Sequence, residues 1–271
     1  MNDLVKLLHI RPDLPARTVL KHLKYEPGAN ALNLVKRKTL IACTSRSGST
    51  LVQESLGRYG LNFEEYFNVR LAPKQAVELG LARTTRDYGD FLARTAVAND
   101  HFGVKGTYVA FLFLHYLNEF PQLRSSWRFI HLRRRNVIRQ AISMTIVAVT
   151  DQWNSERLAR NSVSVQSYSF DDIMARVETI LNENQILERC FALLEIEPYR
   201  LFYEDFVADI PGQTEMIARF LDVDVAKFPA ARLHVPRLKV QATEINDAWE
   251  ARFRADLTAR LGGAPQAPGP G

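Results

Sequence analysis

"TLIACTSRSGSTLVQESLGRYG", Thr39 to Gly60, is the stretch that decides the fold. Thr39 to Thr44 is apolar and β-branched, which reads as a buried strand of ordinary length. A knot of small hydroxyl residues with one arginine follows, and then a helical pattern from Ser49 to Tyr59 with Gly60 placed as its C-terminal cap. Strand, tight turn and helix bring several unpaired backbone N–H groups to one point, where the helix dipole adds positive potential. Gly48 lets the backbone approach closely. Ser47, Ser49 and Thr50 can donate hydroxyl hydrogen bonds, and Arg46 can clamp an oxyanion in a fork. Turn chemistry alone leaves two readings open: a helix start capped by Ser or Thr, and an anion site. A Walker loop would read G-x-x-x-x-G-K-S/T, and here a serine stands where its lysine belongs.

Further along, strands alternate with helices. "HFGVKGTY" is a glycine-flanked short strand or turn, "WRFIHL" is a second buried strand and "YRLFYEDF" a third. "LNFEEYFNVRLAPK" reads as a loop, and Gln75 to Val97 as polar and helical. The apolar run Tyr108 to Leu117 is too short to span a bilayer and is expected to be a buried helix. A long amphipathic helix is expected from about Asp171 to Leu194. Such alternation predicts an α/β fold, a parallel sheet with helices on both faces. Ligands then bind outside the carboxyl ends of the strands. The expected organisation is an N-terminal extension over residues 1–38, one domain over 39–260, and a tail over 261–271 too rich in Gly and Pro to pack.

Composition bounds the function. With 46% hydrophobic and 24% charged residues among 271, the chain is an ordinary globular protein able to bury a sizeable core. A net charge of +5 suggests an anionic partner, but the basic residues form no aromatic-interleaved stripe, so nucleic acid is not expected. Lys36-Arg37-Lys38 reads as a solvated basic face. Cys43 and Cys190 are far apart, sit among apolar neighbours and have no metal-ligand spacing, so they read as reduced core residues. With no signal peptide and no membrane span visible, the expected location is cytoplasmic.

A second anion site is suggested where "WRFIHL" runs into Arg133-Arg134-Arg135. Asn136 is a good N-cap for the next helix, and Ser143 follows about two turns later on the face near the arginines. Arginines at a helix N-terminus oppose its dipole, so a run of three there is unfavourable without an anion. That second strand ends in arginines, not in an aspartate for magnesium, which argues against metal-dependent γ-phosphate hydrolysis. Lys105, flanked by two glycines at a strand end, is a third candidate.

"SRSGSTLVQESL", "EEYF", "GVKGTY", "LRRRNVIRQAIS", "YEDFVAD" and "QAT…AWEARF" occur in that order, over roughly Thr39 to Arg254. Together they resemble sulfotransferases that use PAPS (3′-phosphoadenosine 5′-phosphosulfate), in particular the bacterial family typified by trehalose 2-sulfotransferase. The resemblance implies the sulfotransferase fold, a P-loop-like parallel sheet flanked by helices on both faces, in whose first turn Arg46, Ser47, Gly48, Ser49 and Thr50 hold the 5′-phosphosulfate. It implies that Arg134, with Arg135 as the alternative, and Ser143 grip the 3′-phosphate. Many cytosolic sulfotransferases carry a histidine base two residues after the lysine, but here Thr107 stands there. The trehalose-type family instead places a glutamate before an aromatic and Phe, which corresponds to Glu65, with Glu64 the neighbouring alternative; the loop is shorter than usual and lacks its proline. Trp153 stands where that family places a tryptophan after the serine-bearing helix, and its two readings are a substrate residue stacking on a sugar ring or lipid and a side chain packed under a loop. The implied reaction moves a sulfuryl group to a hydroxyl of a carbohydrate, glycolipid or other small alcohol, with PAP as product, no metal, and a homodimeric enzyme. A kinase-like P-loop enzyme and a non-catalytic nucleotide-binding module are the alternatives.

Overall fold

A computed structural model describes residues 5–6, 10–11, 13–68, 70–151, 163–229 and 244–262. In chain order the main elements are β1 Arg37–Cys43, α1 Ser49–Gly57, β2 Phe63–Glu64, α2 Ala72–Glu78, α3 Thr85–Thr95, β3 His101–Gly106, α4 Val109–Tyr116, β4 Trp127–Arg133, α5 Val137–Thr150, α6 Phe170–Leu193, β5 Tyr199–Phe202, α7 Tyr203–Ala208, α8 Ile210–Phe220 and α9 Glu244–Gly262. The five strands form one sheet in the order β2-β3-β1-β4-β5, with every pair parallel. The α/β class with a parallel sheet flanked by helices is therefore as expected. By internal packing the chain divides into one unit of residues 1–135 with 181–236, and a second of 136–180 with 237–271.

In the first unit the period of two along β1 fills both faces of the sheet. Leu40 and Ala42 join one buried cluster with Phe102, Val104, Phe129 and the α4 side chains Phe111 and Phe113. Ile41 and Cys43 point the other way and pack with Val52 and Leu56 of α1, Ile130 and Leu132 of β4, and Ile217 of α8. The apolar run before Leu117 is the buried helix α4, as read from its composition. Val19, Leu23 and Leu32, ahead of the strand, are also buried in the first cluster. The strand itself starts at Arg37, two residues earlier than its β-branched run suggested.

Several local readings need correction. The loop after α1 contains β2, whose Phe63 and Glu64 pair with Gly103 and Val104 and make it the sheet edge. Two residues give too little alternation to be seen in a sequence. The polar region from residue 75 to 97 is two helices, α2 and α3, split by a turn at Gly80. Lys38 is not on a solvated face. It is buried, and its Nζ donates to Glu119 Oε2 at 2.7 Å, Leu32 O at 3.0 Å and Gln122 Oε1 at 3.1 Å. Glu119 also accepts from Trp127 Nε1 at 2.8 Å and Asn33 Nδ2 at 2.7 Å. A buried charge is tolerated only when paired and hydrogen-bonded in this way.

In the second unit, Ala141 and Ile142 of α5 pack with Ile173 and Ile180 of α6 and with Trp249 and Phe253 of α9. Asn136 caps α5, its Oδ1 accepting from Arg139 N at 2.9 Å. Its Nδ2 reaches Glu250 at 2.9 Å, and Arg139 pairs with both Glu250 and Asp247. The helix α9 runs through Gly262, so the expected tail shortens to residues 263–271, which lie outside the described residues. Among the described residues no helix is long and apolar enough to cross a membrane.

Candidate active site at the strand ends

The carboxyl ends of all five strands belong to the first unit, and each contributes a side chain or turn to one place. The β1 end supplies the turn Thr44–Gly48. Arg46 has φ +62° and Gly48 φ +96°, the left-handed conformation that glycine adopts without strain and arginine does not. Gly48 occupies the N-cap of α1 and provides no side-chain cap. Leu51 N and Val52 N bond to Gly48 O, while Ser49 N and Thr50 N have no side-chain cap from the N-cap residue and suit an external acceptor. That favours the anion-site reading over the capped-helix reading. Ser47 Oγ is fully buried without a partner of good hydrogen-bond geometry among the described residues, and the Cys43 thiol beside it is a weak partner. Burial pushes the Cys43 thiol pKa up, outweighing the Ser49 and Ser47 hydroxyls.

Two guanidinium groups crowd this turn. Burial holds the Arg46 pKa below its ordinary value, and the neighbouring charge of Arg134 lowers it further. Arg134 donates to the Arg46 carbonyl at 3.3 Å and lies over the Tyr203 ring at 4.4 Å from its centroid. The same ring rests against Gly48: a Cβ there would come within 2.3 Å of Tyr203 Cδ2. Tyr203, at the β5 end, thus backs the turn and the arginine together. Sequence reasoning assigned it no role. Its position directly after a strand is the signal that would have found it.

The other two arginines of the run have carboxylate partners. Arg133 reaches Glu188 at 3.3 Å. Arg135 forks onto Asp205 with two contacts of 2.6 Å, and its N–H donates to Glu204. The unfavourable crowding expected of three arginines at a helix start is thus largely offset within the protein, and an anion is not required to explain all three. Arg134 differs from its neighbours in meeting a carbonyl and a ring face.

Opposite the turn, Lys105 Nζ at the β3 end donates to Thr50 Oγ1 at 3.2 Å and lies 3.6 Å from Glu65 Oε1. The Lys105 side chain is only 7% exposed, while that of Glu65 is 43% exposed. Glu65 Oε2 accepts from Asn68 Nδ2 at 2.9 Å, within a turn closed by Asn68 N to Glu65 O. Glu64 points elsewhere, accepting from Gln53 at 3.3 Å. The structure therefore brings together Arg46, Ser47, Gly48, Ser49, Thr50, Glu65, Lys105 and Arg134, and turns Arg135 toward Asp205. Ser143 lies on α5 in the second unit and is half-buried. Trp153 lies outside the described residues. His101 and His131, the buried histidines of β3 and β4, are both pushed down to about 4 by burial and stay neutral near neutrality. Among the described residues no three His, Cys, Asp or Glu side chains are grouped to hold a metal ion. A groove lined by Phe120, Leu123, Arg124 and Leu194 shares no residue with this constellation.

The family model for Stf0 sulphotransferase matches residues 121–256, just over half of the chain. The chain belongs to the Stf0 sulphotransferase family. The matched span starts before β4 and includes the arginine run, α5, α6 and β5. It begins after the turn at Thr44–Thr50, Glu65 and Lys105, so the roles of those residues in this Stf0 sulphotransferase rest on their geometry and on the motif order. None of the curated proteins matches the chain. Sulfotransfer is the activity that family membership supports.

Proposed function

We propose that this Stf0 sulphotransferase uses PAPS as donor and passes its sulfuryl group to a hydroxyl of a carbohydrate, glycolipid or other small alcohol. The observation that carries the reading is the convergence of Thr50, Lys105 and Glu65 beside an uncapped, arginine-lined helix start. The residues present fit an anionic 5′ group: a buried serine hydroxyl lacks a good partner, Gly48 takes the left-handed turn with the Tyr203 ring against it, and two guanidinium groups share one turn.

Backbone N–H groups of the turn, with Arg46, hold the 5′-phosphosulfate. Glu65 accepts the proton of the acceptor hydroxyl as its oxygen bonds to sulfur. The sulfur–oxygen bond to the 5′-phosphate breaks, and both electrons leave with PAP. Lys105 neutralises charge that grows on the transferring group and the departing phosphate, from a buried position where it is weakly screened. Thr50 fixes the ammonium in place. Tyr203 holds Arg134 against the turn, and Arg134 is the 3′-phosphate arginine in preference to Arg135, whose fork Asp205 already occupies. The roles of Ser143 and Trp153, a homodimeric state and a cytoplasmic location rest on the resemblance and the sequence.

A PAP titration by calorimetry separates the arginines. Arg134→Ala is expected to weaken PAP by about 10–100-fold, the loss of a charge-assisted contact of roughly 1.5–3 kcal/mol. Arg135→Ala is expected to change affinity by less than about threefold. The opposite ranking would overturn the assignment.

A further inference from the structure

Both cysteines read as reduced core residues in the sequence, and the structure sets them apart. Cys190 of α6 is fully buried in the cluster that holds Phe111 and Leu187, where burial pushes its thiol up to about 12. Its polar contact is a backbone hydrogen bond. Cys43 is the last residue of β1 and belongs to the other cluster, with Ile41 and the α1 side chains. Only 5% of it is exposed, yet its thiol meets two hydroxyls, those of Ser47 and Ser49. The charges of Lys105 and Glu65 also act on it, with opposite sign. The thiol therefore lies under the turn, among the side chains that converge there.

Ser47 is the partner that matters most. It is fully buried, and its Oγ has no well-aligned partner among the described residues, so the thiol is the polar group beside it. A serine hydroxyl has one proton to give and two lone pairs to receive. A neighbour that only accepts would draw that proton inward, away from an anion. A neighbour that donates into a lone pair leaves the proton for the anion, and the two bonds then polarise one another. Burial raises the Cys43 pKa and keeps the thiol protonated, so it can donate and carries no charge to repel an anion. An apolar side chain would fill the same place in the cluster without orienting the hydroxyl.

We infer that Cys43 is a positioning residue, its S–H donating to Ser47 Oγ as the Ser47 hydroxyl turns its proton to the 5′ group of PAPS. Its sulfur is at the same time a weak acceptor for the Ser49 hydroxyl. This role rests on the proposed function, in which the turn holds the 5′-phosphosulfate.

PAP titration by calorimetry, with each variant melted beside it, tests the role. Cys43→Ala is expected to weaken PAP by about 2–10-fold, the loss of one neutral hydrogen bond. Cys43→Ser, which keeps a hydrogen-bond donor in place, is expected to recover most of that loss. In a Ser47→Ala background, Cys43→Ala is expected to change affinity by less than about twofold, because no hydroxyl is left to orient. Cys190→Ala opens a similar cavity in the other cluster, so it is expected to lower Tm and to leave PAP affinity within about twofold. Cys43→Val, which carries no hydrogen-bond donor, repeats the test if the alanine variant does not fold. The inference is overturned by wild-type affinity in Cys43→Ala, by an equal loss in Cys43→Ser or Cys190→Ala, or by a loss that persists without the Ser47 hydroxyl. A wild-type chain that binds no PAP overturns the proposed function and this inference together, whereas normal wild-type binding with any of those results overturns this inference alone.

Discussion

Glu65→Gln should lower turnover by about 10²–10⁴-fold, the usual contribution of a positioned general base. PAP affinity should stay within about twofold, because the Glu65 contacts in the structure are to Asn68 and Lys105 and not to the turn. Glutamine keeps the shape and can still accept from Asn68, but it cannot take up a proton. Glu64→Gln serves as the internal control, since Glu64 faces Gln53, and should leave turnover unchanged. Single-turnover kinetics beside PAP titration makes the distinction. Near-normal turnover in Glu65→Gln would remove this residue from the base role.

Glu119→Ala should destabilise the fold by about 3–5 kcal/mol, the usual loss when one partner of a buried ion pair is deleted. The variant leaves the Lys38 ammonium buried with only Leu32 O and Gln122 as acceptors and strips Trp127 Nε1 of its acceptor, while Asn33 Nδ2 keeps Leu117 O. Burial already pulls the Lys38 pKa down against the pull of Glu119. Urea denaturation measures the loss. Replacing both members together, Lys38→Met with Glu119→Leu, should recover most of it, because no charge is then left stranded. A double variant as unstable as the single one would mean that packing, not the charge, dominates this site.

The strand and turn from Thr39 onward were legible because a buried parallel strand and a helix start each leave a strong local pattern. α4 and α6 were legible for the same reason, the first as an apolar run and the second by its amphipathic length. Lys105 could be singled out by its flanking glycines at a strand end. The sheet edge was not legible, since β2 is two residues long and its pairing with Gly103 and Val104 is non-local. Nor was the environment of Lys38, whose charge looks solvated in sequence until Glu119, far along the chain, is folded against it. Asp205 is what sets the surroundings of Arg135 apart from those of Arg134, and Gln53 and Lys105 are what set Glu64 apart from Glu65. In each case a partner outside the local run, invisible in it, gives two neighbouring side chains different surroundings. Tyr203 was missed because a strand end was read for charge and hydroxyls only.

Incubation of the wild-type chain with sulfur-labelled PAPS and a fractionated metabolite and lipid extract tests the central claim most directly. The account predicts that label leaves the nucleotide, that PAP accumulates in equal amount, and that a product gains one sulfuryl group. It also predicts that Lys105→Ala slows this transfer by about 10²–10³-fold, comparable to losing one transition-state donor. Label that stays on the nucleotide with every fraction, from a chain that also fails to bind PAP, would contradict it.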